Sequence, residues 1–302
     1  MKTESSYDVI IIGGSYAGLS AAMALGRSLR NVLIIDSGNP CNKQTPYSHN
    51  FITQDGTPPA EIARIAKEQV LKYDTVTFYN GLATAANKTE HGLEVAASTE
   101  EVFKAKKLII ATGVRDIMPD IRGFAECWGI SVIHCPYCHG YEVRNERTGL
   151  LANGDVAYET AKLLTNWTMD LTVFTNGKST LTPEQTNHLK QHNIEVIDKH
   201  IDLIKHKDGY LEHIRFADGQ VFHLKATYAR IGFEQHSGIP MQLGCQLTEM
   251  GHLQTDMFQK TTVPGVFACG DSTTMMRSVA SVVASGNMAG VMANKELIDE
   301  SF

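Results

Sequence analysis

The sequence predicts an α/β protein built of two Rossmann-like domains, three-layer ββα units, the second inserted into the first. Three observations carry this reading. Two segments share the succession strand, small-residue turn, helix, strand; the spacing within them is the same; and a C-terminal segment returns to the pattern of the first half. A chain of 302 residues that is 43% hydrophobic is long enough for two such cores.

The first strand is the apolar run at residues 7–12. It meets the turn Gly13-Gly14-Ser15-Tyr16-Ala17-Gly18 and then an Ala-rich helix expected from residue 19 to about 28. A second strand, 31–35, ends at Asp36. In a dinucleotide turn the first small residue allows the tight bend, the second lets the backbone approach a pyrophosphate, and the third lets the helix pack on the strand. Here those places fall to Gly13, Ser15 and Gly18. Asp36 stands 23 residues after Gly13, where a carboxylate accepts hydrogen bonds from a ribose.

Two later segments complete this domain. Residues 107–110 read as a strand that ends in Ala111-Thr112-Gly113. Residues 265–269 read the same way and end in Gly270-Asp271, ahead of a helix expected over about 277–297. An aspartate in that position can reach a ribitol hydroxyl or cap the helix.

The second half repeats the order. A strand at 148–151 leads into Ala152-Asn153-Gly154-Asp155, a helix to about 166, and a strand at 171–174 followed by Thr175-Asn176-Gly177-Lys178. Thr175 follows Ala152 by 23 residues, so the halves run in register. Ala152 replaces the first glycine and is expected to crowd the turn wherever positive φ is needed. The second strand offers neither the acid suited to NAD nor the arginines suited to NADPH. Asn153, Gly154, Asp155, Asn176 and Lys178 remain as candidate nicotinamide-nucleotide contacts. The expected domains are 1–114 with 239–302, and 115–238.

Composition excludes other classes. The net charge is −6, 27 basic against 33 acidic residues, with no basic run to follow a phosphate backbone, so nucleic acid is not an expected partner. The longest apolar stretches fall far short of the about 20 residues that span a bilayer. The polar N-terminus lacks the apolar segment of a signal peptide, and cytoplasmic residence is the expectation. Six cysteines are too few for a disulfide scaffold. Only Cys135 and Cys138 form a close pair, and no second pair of ligands at metal spacing accompanies them, so no metal is expected.

Cys135-Pro136-Tyr137-Cys138 is a pair of thiols able to close and reopen a small disulfide. His139 follows it directly and titrates near neutrality, which suits it to carry a proton to or from a leaving thiol, with Glu142 to orient it. Redox thiols between two dinucleotide turns point to electron transfer between a nucleotide cofactor and thiols.

On the turn at Gly13 to Gly18, Ala111-Thr112-Gly113, the cysteine pair and the segment ending in Gly270-Asp271, nearly the whole chain resembles the low-molecular-weight thioredoxin reductases and their relatives. Those relatives include dithiol oxidases that close disulfides in natural products of the gliotoxin and holomycin type. The resemblance implies FAD in the first domain, Cys138 as the thiolate against the flavin, Cys135 as the thiol that attacks substrate, and Asn50 as a flavin contact. It also implies a homodimer. Cys-Pro-Tyr-Cys-His is closer to the dithiol-oxidase relatives than to the reductases proper, which usually carry Ala-Thr between the cysteines and Asp after them. The family's His-Arg-Arg nicotinamide motif is absent, and its Arg-Gln-Ala near the flavin reads Arg277-Ser278-Val279.

The expected activity is FAD-dependent thiol-disulfide exchange of thioredoxin-reductase type, through Cys135 and Cys138, with a degraded NADPH site. The external partner is a thioredoxin-like protein or a small-molecule dithiol or disulfide. Alternatives are a dithiol oxidase that uses oxygen, a reductase fed by ferredoxin or another protein electron donor, and a flavin-binding redox sensor.

Overall fold

A computed structural model of the chain describes residues 6–302. The segment 1–5, part of the expectation about targeting, lies outside the described residues. The chain divides into two compact units. The first comprises the chain up to Lys43 with Asn50–Arg115 and Phe233–Phe302, and the second Gln44–His49 with Asp116–Gly232.

In the first unit β1 (Ser6–Ile12), β2 (Val32–Asp36) and β3 (Val76–Asn80) pair in parallel in the order β3-β2-β1. The hairpin β4 (Ala83–Thr89) and β5 (Gly92–Ala97) leads into β6 (Val102–Ile110), which lies parallel to β1. The far edge of β6 is shared. Its first half pairs antiparallel with β5, and Leu108, Ile109 and Ile110 pair in parallel with the strand Val266–Ala268. The apolar runs of β1, β2 and β6 are buried on both faces, as a central parallel strand requires.

Helix α1 (Tyr16–Arg27) begins three residues before the place expected from sequence, because Ser15 already stands as its N-cap in extended conformation. The C-terminal helix runs Val279–Ser301, with Ser278 as N-cap accepting the Ser281 N–H at 3.3 Å. The two helices pack closely. A Cβ at Gly286 would collide with the Ala17 carbonyl, so glycine sets their separation.

The second unit repeats the parallel order with Glu195–Ile197, Leu171–Phe174, Thr148–Leu151, Ala226–Ala229 and Val132–Ile133. An antiparallel three-stranded sheet, Ile201–Lys207, Tyr210–Phe216 and Val221–His223, packs into the same unit's core. The boundaries differ from expectation at three places, one of them Arg115, which groups with the first unit. Gln44–His49 groups with the second unit because the Gln44 amide donates to the carbonyls of Ala125, at 3.0 Å, and Trp128. Residues 233–238 group with the first.

Candidate active site

The first turn is built as a cradle. Gly13 has φ +105, and a side chain there would strike the Ala111 carbonyl, so only glycine fits. Ser15 makes no side-chain bond to the helix it caps, which leaves the first N–H groups of α1 facing outward with the positive end of the helix dipole. The Gly14 N–H donates to Asp36 Oδ1 at 2.9 Å, and Asp36 Oδ2 accepts from Gly38 N–H at 3.2 Å.

A cleft of about 370 Å³ opens here, lined by Gly13, Gly14, Ser15, Asp36, Ala111 and Thr112 of the sequence-predicted residues. Phe78, Arg64, Lys67, His236 and Ser237 also line it and were not foreseen. Arg64 and Lys67 lie on helix Pro59–Val70, which carries no glycine signature, and His236 and Ser237 lie far along the chain. The Thr112 hydroxyl is buried with no hydrogen-bond partner among the described residues. An uncapped helix start, two cations and a buried polar atom awaiting a partner fit the pyrophosphate and ribose of a dinucleotide.

The other predicted cofactor residues sit around this cleft or apart from it. Ala17 and Gly18 are buried in α1, behind the turn. Gly113 turns with φ +66 after β6. Gly270 donates its N–H to Ser285 at 3.0 Å, and Asp271 stands 3.5 Å from the Arg277 guanidinium. Val279 is the first residue of the C-terminal helix, next to its cap Ser278. Asn50 is exposed at φ +58, its N–H bonded to Asp55 at 2.7 Å, and it does not line the cleft.

The second turn is filled from within. Asn153 Oδ1 accepts from the N–H groups of Gly154 (2.9 Å) and Thr180 (2.8 Å) and from the Thr180 hydroxyl (3.0 Å), while Asn153 Nδ2 donates to the Lys178 carbonyl at 3.0 Å. Asp155 accepts from Gln185 Nε2 at 2.8 Å, and Asn176 Oδ1 accepts from Ile201 N–H at 2.8 Å. Positive φ falls on Gly154, at +59, and not on Ala152. The expected crowding at Ala152 therefore does not occur. What closes the turn is the side chain one residue later.

The cysteine pair lies at the head of the short helix Pro136–His139, with Cys135 as N-cap and Pro136 at the first helical position, where its missing N–H costs no bond. The Cys138 thiol donates to Cys135 Sγ across 2.8 Å. That bond is the main reason the Cys135 thiol is held down at about 7, against the pull of burial; the N–H groups of Cys138 and Tyr137 and the charge of Arg230 add to it. Burial alone drives the other way at Cys269, pushed up to about 12, and is the main cause at Cys127, pushed up to about 11, which leaves both as inert core thiols.

Around the pair the fold gathers residues distant in sequence. The His139 and His49 rings meet edge to face with centroids 5.9 Å apart, and His49 Nε2 is 3.6 Å from Glu142 Oε1. Burial first, and then the neighbouring His49, hold His139 below the usual imidazole range, with Glu142 opposing. His139 is therefore neutral and able to accept a proton at pH 7. Tyr228, 2% exposed, places its hydroxyl among buried atoms with no partner among the described residues, and burial followed by the charges of Cys135 and Glu142 raises its pKa. Neither His49 nor Tyr228 carries a local sequence signal.

The model of the pyridine nucleotide-disulphide oxidoreductase family matches residues 7–289. The chain belongs to that family. Among curated members it is 34% identical to the thioredoxin reductase tcpT of Claviceps purpurea, over 99% of this chain and 96% of the other. It is 31% identical to the thioredoxin reductase sirT of Leptosphaeria maculans, over 96% and 94%. A solved oxidoreductase from Agrobacterium tumefaciens superposes with a TM-score of 0.91 at 36% identity, covering 97% of this chain and 99% of that one. As a member of this family the protein is an enzyme, a disulfide oxidoreductase with the doubly wound α/β fold, and the family implies a flavin cofactor. No helix among the described residues is long and apolar enough to cross a membrane.

Proposed function

We propose that the protein is an FAD-dependent thiol-disulfide oxidoreductase of thioredoxin-reductase type that moves two electrons between flavin and an external disulfide or dithiol through Cys135 and Cys138. The observation that carries this is the Cys135 thiol held at about 7 by a sulfur 2.8 Å away. That hydrogen bond favours the thiolate, the attacking species in exchange. Bound in the first-unit cleft, FAD supplies the two-electron store that reduces or reoxidises the pair.

In the reducing direction the Cys135 thiolate attacks one sulfur of a substrate disulfide, and the other sulfur leaves and takes a proton. Cys138 then gives its proton to neutral His139 and attacks Cys135 Sγ. The second substrate sulfur leaves, and the Cys135–Cys138 disulfide closes with both electrons delivered to substrate. Run backwards, the same steps oxidise a substrate dithiol.

Asn153 supports a second reading, in which electrons enter from a small-molecule dithiol and leave to oxygen, with no call on NADPH. Its side chain holds the N–H groups that a pyrophosphate would need. An anaerobic titration of the yellow enzyme with NADPH, then with a dithiol, separates the two. Flavin bleaching by the dithiol alone favours the second reading; bleaching by micromolar NADPH restores the nicotinamide donor.

A further inference from the structure

The spacing of residues along the chain gives no metal site, yet the fold brings three candidate ligands together. His49, His139 and Glu142 each offer a ligand atom, and these atoms all lie within 4.8 Å of one another. We propose that these three side chains bind a divalent transition metal of the Zn²⁺ class.

Two imidazole nitrogens and one carboxylate oxygen form the borderline donor set that zinc takes when it keeps a fourth position open. Metal–ligand bonds of about 2.0–2.1 Å in a tetrahedron set donors roughly 3.4 Å apart. His49 Nε2 and Glu142 Oε1 already stand at 3.6 Å, and a His139 ring nitrogen lies within 4.8 Å of both. Glu142 follows His139 by three residues just beyond the redox helix. His49 is brought to them by the segment Gln44–His49, which Gln44 ties to the carbonyls of Ala125 and Trp128.

All three line one cleft of about 310 Å³, which gives an ion its access path. Glu142 and Glu146 face a single cation there, Lys225, so the cleft favours a divalent cation. Where the thiol-exchange reading holds, the bound ion occupies the His139 ring and withholds the proton acceptor beside the dithiol. Metal then acts as a reversible brake on exchange.

The test uses the holoenzyme with Cys135–Cys138 oxidised, so that these thiols cannot serve as ligands. Zn²⁺ alone is titrated in competition with a chromophoric chelator, and Co²⁺ alone is added to record ligand-field bands to the red of the flavin. One ion per chain is expected, weakened about tenfold or more by His49→Ala and by Glu142→Gln. Glu142 is 40% exposed, so Glu142→Gln tests the site without risk to folding, which flavin content checks. The proposal fails if the oxidised enzyme binds no ion, if both variants bind as the parent does, or if binding requires reduction and is lost in Cys138→Ser. None of these readouts depends on turnover, so they stand whether or not thiol exchange through Cys135 survives its own test.

Discussion

The two turns of this molecule occupy equivalent places in two copies of one fold and have opposite contents. At Gly13 the backbone bends through positive φ, Ser15 leaves the helix start uncapped, and a cleft opens in front of it. At Asn153 the side chain folds back over the helix start and binds the loop at Lys178 and Thr180. The first turn invites a ligand, and the second satisfies itself. The contrast shows that of two turns in equivalent places one can meet the hydrogen bonds of its helix start from its own side chain while the other leaves them open. The second unit instead carries the Cys135–Cys138 pair.

The largest expected effect tests that division of labour. Cys135→Ser lowers thiol-disulfide turnover by about a thousandfold or more while flavin stays bound; turnover that survived in the steady state would remove the second unit's chemical role. Next in size is the cradle itself. Gly13→Ala drives a Cβ into the Ala111 carbonyl, and the flavin-to-protein absorbance ratio of the purified enzyme should fall about tenfold. The matched change Ala152→Gly should leave that ratio untouched, and equal losses in both would erase the contrast.

A pH profile sharpens the comparison further. Because the Cys135 thiol is depressed to about 7, its thiolate is lost as pH falls through that value. Alkylation of the reduced enzyme by iodoacetamide should slow about tenfold per unit below pH 7 and level off above it. A midpoint near that of an ordinary thiol, about 8.5, would mean that Cys138 does not support the anion. The smallest effect belongs to the second turn. Asn153→Ala removes the cap and its loop bonds, and urea unfolding should register a loss of about 1 kcal/mol with no change in flavin content.

Much of this could be read from the chain because the fingerprint fixes positions relative to one another. Gly13, Ser15 and Asp36 of the first turn and its following strand, and Thr112 at the end of a later strand, fall on one cleft. Helix starts were misplaced by two or three residues, since Ser15 and Ser278 act as caps that apolar periodicity does not reveal. At the second turn the positive φ falls on Gly154 and not on Ala152, and an asparagine followed by glycine at a helix start is the signature of an N-cap. His49 and Tyr228 were beyond sequence reasoning altogether, because their proximity to the cysteine pair exists only after Gln44–His49 and the strand Ala226–Ala229 take their places in the second unit.

The divided edge of β6 bears on how the protein is made. Leu108, Ile109 and Ile110 wait for the strand Val266–Ala268, so the outer sheet stays open along half of one edge until nearly the whole polypeptide has left the ribosome. The inserted unit, whose last residue is Gly232, has all its strands earlier. Vectorial synthesis therefore favours completion of the inserted unit first, and for that interval an apolar strand edge of the first unit is exposed to chaperones and to neighbouring nascent chains.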